Sequence, residues 1–160
     1  MKTAFKSILV GTVLAASLGT FAQAADMADP VIGSWTLDIA KSKFTPGPAP
    51  TSQTRVYAET TDGITLTING VAADGTAMSQ HSTFKYDGKA YPITGSADYD
   101  ALSLKRVDGM TVKSQMMLAG KAVGDTTRSV SKDGKVLTVD SKGTDTKGKS
   151  YSSVSVYDRQ

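Results

Sequence analysis

Few side chains in this sequence could carry out acid–base or nucleophilic catalysis. His81 is the only histidine, Glu59 is the only glutamate, and there is no cysteine. Many of the aspartates stand in Asp-Gly pairs, where the requirements of tight turns explain them. Nucleophilic catalysis needs a base beside the nucleophile and a third group that orients the base. A single histidine, which strand alternation places on the solvent side, supplies no such set, so we predict that the protein is not an enzyme.

Metal and cofactor binding is equally poorly supported by the residue types. Zinc sites use thiolates or several imidazoles, and this chain has one histidine and no cysteine. A calcium loop of the Asp-x-Asp-x-Asp-Gly type is also absent from the sequence. We therefore expect no metal site and no cofactor.

The remaining polar side chains suit ligand binding better than reaction. Arg106 has the same strand parity as the leucines at 102 and 104, so it either points inward or, lying just before a turn, reaches the surface. Tyrosine has an apolar ring and a hydroxyl, which allows it either to line a cavity or to pack in a core. The tyrosines with these two interpretations are Tyr86, Tyr91 and Tyr157.

Regularly spaced turns indicate the elements that position these residues. Asp-Gly tolerates the positive φ angles of tight hairpins and is the strongest short-range hairpin signal. It occurs at 62–63, 74–75, 87–88, 108–109 and 133–134, and further turn clusters fill the longer gaps. Turns that recur about every dozen residues are typical of all-β sandwiches and barrels.

Alternation of apolar and polar residues between these turns predicts half-buried strands. Ile64, Leu66 and Ile68, for example, share one face of a segment whose other face carries threonines. The pattern predicts ten strands, at 33–40, 54–61, 64–71, 77–86, 90–94, 101–107, 110–118, 121–131, 136–142 and 151–158.

Short connections between these strands predict an all-β fold, a single antiparallel up-and-down β-barrel. The one long connection, 41–53, contains Pro46, Pro48 and Pro50 and is predicted to be a stiff surface loop without a helix. Closing such a meander into a barrel removes its exposed edges. An open two-sheet sandwich is the alternative.

A secretory signal is predicted at the N-terminus, as a helix that is removed by cleavage. Lys2 and Lys6 precede an apolar run over 8–18, and Ala22-Gln23-Ala24 gives the small-x-small pattern of a cleavage site. We predict a signal peptide at 1–24, a barrel domain at 25–160, and export to a bacterial periplasm or the medium. A permanent N-terminal anchor is the alternative, although the run is short for a membrane span.

Charge gives little indication of a macromolecular partner. Lys2 and Lys6 belong to the predicted signal, which leaves 16 basic against 15 acidic residues in the remainder. No stripe of basic residues suggests nucleic-acid binding. We expect a monomer with no nucleic-acid partner and no stable membrane anchor.

Short motifs stand at both ends of the predicted barrel. Gly33-Ser34-Trp35 places a Gly-x-Trp at the start of the first predicted strand, and Phe44 follows it. This opening resembles that of lipocalins, and Phe44 extends the resemblance to fatty-acid-binding proteins. Thr127-Arg128, Asp133-Gly134-Lys135 and Val156-Tyr157 resemble the closing part of that family. The segment 35–48 is more similar still to small exported bacterial proteins of unassigned role.

This resemblance implies roles for four residues. Gly33 and Trp35 would close one end of the barrel, with an arginine stacked on the Trp35 ring. Arg128 would be either that stacked arginine or, with Tyr157, an internal site for an anion. Two features depart from the family: a Pro-rich loop replaces the helical lid, and the second carboxylate-binding arginine falls on Ser155.

Two functional hypotheses therefore follow from the sequence. The first is an exported barrel that binds a small apolar or amphipathic ligand, with Arg128, Tyr157, Tyr86, Tyr91 and Arg106 as candidate contacts. The second is a structural or envelope-interaction module whose barrel is filled and binds nothing. The free interior volume distinguishes them, because small barrels can be filled entirely by their own side chains.

Overall fold

Residues 28–160 of the chain are described by a computed structural model, and they form ten antiparallel strands. The predicted signal helix, the cleavage point and the first residues of the predicted domain lie outside this range. Within it, no helix is long and apolar enough to cross a membrane. The strands are β1 (Gly33–Thr45), β2 (Ser52–Thr60), β3 (Gly63–Val71), β4 (Ala77–Phe84), β5 (Asp87–Thr94), β6 (Ala101–Arg106), β7 (Thr111–Leu118), β8 (Lys121–Val130), β9 (Val136–Thr144) and β10 (Ser150–Arg159).

The sheet closes into a barrel, as the sequence predicts. Each strand pairs with its neighbours in sequence, and β1 also pairs with β10, for example Leu37 with Tyr157. The open-sandwich alternative is therefore wrong. Closure removes both edges of the meander. The unpaired backbone groups of these edges could otherwise pair with a strand of another chain.

Strand boundaries agree with the predicted ones to within a few residues, and the largest difference is in β1. The sequence predicts a loop from residue 41, but β1 continues to Thr45 and rejoins β10 beyond a bulge between Asp38 and Lys43. Bulges bend a strand locally and increase its twist. The loop that contains the prolines is correspondingly shorter.

Side chains from all around the barrel form the core. Buried positions alternate along β3, where Ile64, Leu66 and Ile68 face inward. Near the N-terminal end of β1, the completely buried side chains are Val31, Trp35, Phe84 and Leu137. The turns of this end include 61–62, 107–110 and 131–135, and we call it the closed end. The opposite end, with the 46–51 loop and the turns at 72–76, 95–100 and 145–149, is open.

Candidate functional site

A small inner chamber lies within the barrel, with a volume of about 70 Å³. Apolar side chains from several strands make up much of its wall, among them Leu66, Ile68, Ile93, Leu104, Val112 and Val139. Its polar members include Arg55, Tyr57, Tyr99 and Arg128. A space of this size holds a few water-sized groups, so side chains do not completely fill the barrel.

A wider mouth lies outside the inner chamber, with a volume of about 700 Å³. The volumes of small-molecule pockets are usually about 300–1,000 Å³. Arg55, Tyr99, Met116 and Ser141 line both spaces, so the chamber and the mouth are contiguous. Apolar side chains around the mouth include Phe44, Pro48, Pro50, Met78 and Tyr151.

Arg55 lies where the chamber meets the mouth, and its hydrogen-bonding partners are uncharged. Its Nε donates to the hydroxyl of Tyr157 at 2.9 Å and to Oε1 of Gln53 at 3.4 Å. The Tyr157 hydroxyl in turn donates to Gln53. The guanidinium carbon of Arg55 lies 5.1 Å from the centroid of the Tyr157 ring. Within residues 28–160, no carboxylate lies within 4.0 Å of the Arg55 guanidinium.

Arg128 is more deeply buried and is connected to the closed end. Its side chain is held between aromatic rings, with the guanidinium carbon 5.0 Å from the Tyr57 ring centroid and 5.5 Å from that of Tyr86. Its Nη2 donates to the Tyr86 hydroxyl at 2.6 Å, and this hydroxyl donates to Oδ2 of Asp29 at 2.7 Å. The same carboxylate oxygen pairs with Nη2 of Arg106 at 2.5 Å. The carboxylate of Asp29 therefore pairs directly with Arg106 and, through the Tyr86 hydroxyl, with Arg128.

The positive charges of Arg55 and Arg128 also act on the phenol of Tyr57, which lines the same chamber. Burial raises its pKa, but the positive charges of Arg55 and Arg128 lower it by more, so the net pKa lies below the usual value for tyrosine. Opposite charges shift a pKa in favour of the ionised form, and here the ionised form is an anion. The chamber is therefore electropositive.

Trp35 closes the other end of the barrel, and the arginine over its ring is Arg159. The guanidinium carbon of Arg159 lies 4.1 Å from the Trp35 ring centroid. Arg159 also donates to the carbonyls of Ile32 at 2.7 Å and of Gly134 at 2.5 Å. The interpretation of Arg128 as the arginine stacked on Trp35 is therefore wrong, because Arg159 occupies that position.

Gly33 contributes to this closure through the absence of a side chain. Its φ is +129°, and a Cβ atom at this position would lie 2.7 Å from Nη1 of Arg159. That distance is too short for any other residue unless Arg159 moves. The glycine of the Gly-x-Trp motif thus makes room for the arginine that covers the tryptophan.

The five ligand-contact residues predicted from the sequence lie in different parts of the barrel. Arg128 and Tyr157 belong to the interior, where Tyr157 is completely buried and bound to Arg55. Tyr86 bridges Arg128 to the closed end. Arg106 is exposed there, 4.4 Å above the Tyr86 ring, and it lines neither the chamber nor the mouth. Tyr91 lies away from both spaces, and its hydroxyl donates to the exposed Asp87 at 2.9 Å.

Sequence reasoning missed Arg55 and Tyr57 because β2 shows no clear hydrophobic alternation. Val56, between them, is exposed, while the polar Arg55 faces inward. The register of the β2–β3 hairpin nevertheless indicates that Arg55 and Tyr57 face inward. With the turn at 61–62, Arg55 pairs with Ile68 and Tyr57 with Leu66, both of which face the core. Directly opposed residues in an antiparallel pair point to the same face of the sheet.

The described residues 28–160 contain no group of three or more histidine, aspartate or glutamate side chains placed to hold a metal ion. His81 is exposed, with Nδ1 lying 3.3 Å from the hydroxyl of Thr67 on the outer surface. The arrangement of cations, tyrosine hydroxyls and apolar wall in the chamber is suited to holding an anion.

Comparisons with known proteins agree on the architecture. No protein-family model matches the sequence, and no curated protein matches it significantly. Among solved structures, the fold is similar to the crystal structure of Rv2717c from M. tuberculosis, with a TM-score of 0.51 and 16% sequence identity. The match covers 82% of this chain and 93% of that chain. At this identity, the similarity shows the fold alone, which in this chain is a closed antiparallel barrel of ten strands.

Proposed function

We propose that this protein is an exported, non-catalytic barrel that binds a small amphipathic ligand whose anionic end is held by Arg55. The observation that carries the proposal is the position of Arg55. Its guanidinium lies between an inner chamber and an apolar mouth, and its hydrogen-bonding partners are neutral. A cation withdrawn from water is costly unless it is paired, so an anionic ligand would supply the missing partner.

The apolar mouth suits the rest of such a ligand. Phe44, Pro48, Pro50 and Met78 offer a surface from which a ligand would displace water. Burial of apolar area contributes about 25 cal/mol per Å² before the costs of association are subtracted. Most of the affinity would therefore come from the apolar part, and the anion would set the orientation.

The same proposal places this chain with the lipocalin-like and fatty-acid-binding-protein-like barrels, the calycins. The motifs at Gly33-Ser34-Trp35 and at Tyr157 support this relationship, and Arg55 supports it in an unexpected way. The second arginine that the fatty-acid-binding pattern would supply at Ser155 is absent from β10, and Arg55 on β2 instead bonds to the Tyr157 hydroxyl. An equivalent pair of groups is thus reached from a different strand.

Export belongs to the proposal because the predicted signal peptide ends before Ala25. The test is the intact mass of protein recovered from the periplasm or medium of a host that secretes it. We expect a chain that begins at Ala25. Full-length protein that begins at Met1 and stays with the membrane would contradict export.

Binding is tested by titration with a fluorescent fatty acid. Arg55→Gln should weaken binding by about 10- to 100-fold, which corresponds to the roughly 1.5–3 kcal/mol of a charge-assisted hydrogen bond. The control Lys113→Gln removes one positive charge from the exposed outer face of β7 and should leave the dissociation constant within a factor of two. Both variants are first checked by far-UV circular dichroism and urea unfolding.

Absence of saturable binding by correctly folded wild-type protein would contradict this function. It would favour the alternative of a structural or envelope-interaction module that uses the barrel as a scaffold. Native mass spectrometry of protein purified from its own host complements the titration, since a co-purifying mass would reveal the ligand class directly.

A further inference from the structure

We infer that the anionic end of the ligand is a dianion of the phosphate-monoester class rather than a carboxylate. This inference rests on the proposed function, because it specifies the group that Arg55 holds. It differs from the carboxylate that the resemblance to fatty-acid-binding proteins would imply, and it follows from the charges around the chamber.

Of residues 28–160, two positively charged side chains and no carboxylate line the chamber. Arg55 and Arg128 both line the chamber, and no carboxylate of residues 28–160 lies within 4.0 Å of either guanidinium. Asp29 reaches Arg128 only through the Tyr86 hydroxyl, and it pairs directly with Arg106. Arg106 and Arg128 therefore share the carboxylate of Asp29, and Arg55 pairs with none of the described carboxylates.

A monoanion would leave one of the two interior guanidiniums without a counter-charge. An unpaired buried charge is strongly destabilising, whereas a dianion placed between Arg55 and Arg128 would compensate both. Arginine presents several N–H donors in a planar fork that matches phosphate oxygens. The Tyr57 phenol, which lines the chamber beside Arg128, adds a further hydrogen-bonding group for such an anion.

The aspartates of the mouth do not cancel this excess. Asp74 and Asp98 line the outer space, where the carboxylate of Asp98 accepts hydrogen bonds from the amide and hydroxyl of Thr146 at 3.2 and 3.4 Å. Asp74 caps its own turn by accepting from the Thr76 amide at 2.9 Å. Both lie near bulk water, which screens their charge far more than it screens charges in the chamber.

The sizes of the two spaces fix the orientation of the ligand. An inner chamber of about 70 Å³ is too small for an alkyl chain but accepts a compact tetrahedral oxyanion. The mouth, about 700 Å³ in volume, has room for an apolar tail. The phosphate would therefore point inward toward Arg55 and Arg128, with the tail against Phe44, Pro48 and Met78.

Three ligands of similar length test this inference by isothermal titration calorimetry at pH 7.5. Octyl phosphate is largely dianionic at this pH, because the second pKa of a phosphate monoester is near 6. Octyl sulfate has the same tetrahedral shape with one charge, and nonanoate has one charge on a planar group. We expect octyl phosphate to bind at least tenfold more tightly than octyl sulfate, and octyl sulfate to resemble nonanoate. Because all three measurements use the wild-type chain, the test does not depend on a variant that folds.

Variants then show whether the preference arises in the chamber. Arg128→Gln and Arg55→Gln should each reduce the ratio of phosphate to sulfate affinity to less than threefold, while Lys113→Gln should preserve it. Inorganic phosphate alone should bind at least a hundredfold more weakly than octyl phosphate, because it lacks the tail.

Equal affinities for the three amphiphiles would overturn the dianion inference while leaving the proposed function intact. Inorganic phosphate that binds as tightly as octyl phosphate would overturn the assignment to a monoester with an apolar tail. If none of the amphiphiles binds to correctly folded protein, the proposed function itself fails.

Discussion

Arg159 lies over the indole ring of Trp35, with its guanidinium carbon 4.1 Å from the ring centroid. The indole Nε1 donates to the carbonyl of Val31 at 2.8 Å, and Arg159 donates to the carbonyl of Ile32 on the same segment. Arg159 at the end of β10 therefore holds in place the segment that precedes β1. Because this closure uses Arg159, Arg128 is available to the barrel interior.

Gly33→Ala should destabilise the protein by about 2 kcal/mol. The substitution adds a Cβ atom 2.7 Å from Nη1 of Arg159 at a φ of +129°, so both a clash and backbone strain oppose it. Urea unfolding at pH 7 measures the change. Gly109→Ala is the matched control, because a Cβ atom there meets nothing within 4 Å. Equal stability of the two variants would mean that Gly33 is not required for the arginine to cover Trp35.

Tyr86→Phe should cost about 2 kcal/mol of unfolding free energy, because it removes the hydroxyl between Arg128 and Asp29 and leaves the buried Nη2 of Arg128 without its acceptor. Burial is the largest cause that raises the pKa of Tyr86, to about 12, and the hydrogen bond to Asp29 contributes to the shift. The matched control is Tyr91→Phe, whose hydroxyl bonds only to the exposed Asp87, and it should cost less than about 0.5 kcal/mol. The prediction is wrong if the two variants unfold at the same urea concentration.

Asp29→Asn should be less stable than the wild type at pH 7, and the difference should disappear in acid. Burial raises the pKa of Asp29, but hydrogen bonds from Tyr86, the Val31 amide and Arg106, together with the charge of Arg128, lower it by a larger amount. The net pKa therefore lies below its usual value of 3.8. The folded state therefore holds this proton less tightly than the unfolded state does. The stability that Asp29 contributes is complete above pH 3.8 and is lost as the pH falls through the folded-state pKa.

Urea unfolding of wild type and Asp29→Asn between pH 7 and pH 2.5 measures this effect. Asp62→Asn, in the exposed turn between β2 and β3, is the control and should be as stable as the wild type at pH 7. A difference between Asp29→Asn and wild type that stays constant down to pH 2.5 would show that the charge of Asp29 is not what stabilises the closed end.

The architecture could be predicted from the sequence because turn chemistry and strand alternation agree along most of the chain. Asp-Gly pairs mark several of the hairpins, and segments such as β3 alternate strictly between inward and outward residues. Local sequence does not predict the end of β1, because Phe44 and Thr45 precede prolines and their pairing with β10 depends on a bulge.

The candidate site was only partly predictable because its residues come from strands that are distant in sequence. Arg128 and Tyr157 were identified through resemblance, whereas Arg55 was missed. An arginine that faces inward beside an exposed Val56 contradicts the rule that apolar residues face the core. Such local violations are expected at functional sites, where a polar group is retained in the interior at a cost in stability.

The most direct test of the central claim is NMR spectroscopy of the arginine side chains. The chain has four arginines, which makes assignment of their Nε–H resonances practicable. On titration with octyl phosphate, the resonance of Arg55 should shift saturably, that of Arg128 should follow with the same midpoint, and those of Arg106 and Arg159 should move little. No saturable shift at Arg55 in folded protein, or a shift confined to Arg106 at the exposed closed end, would contradict an anion-binding site inside the barrel.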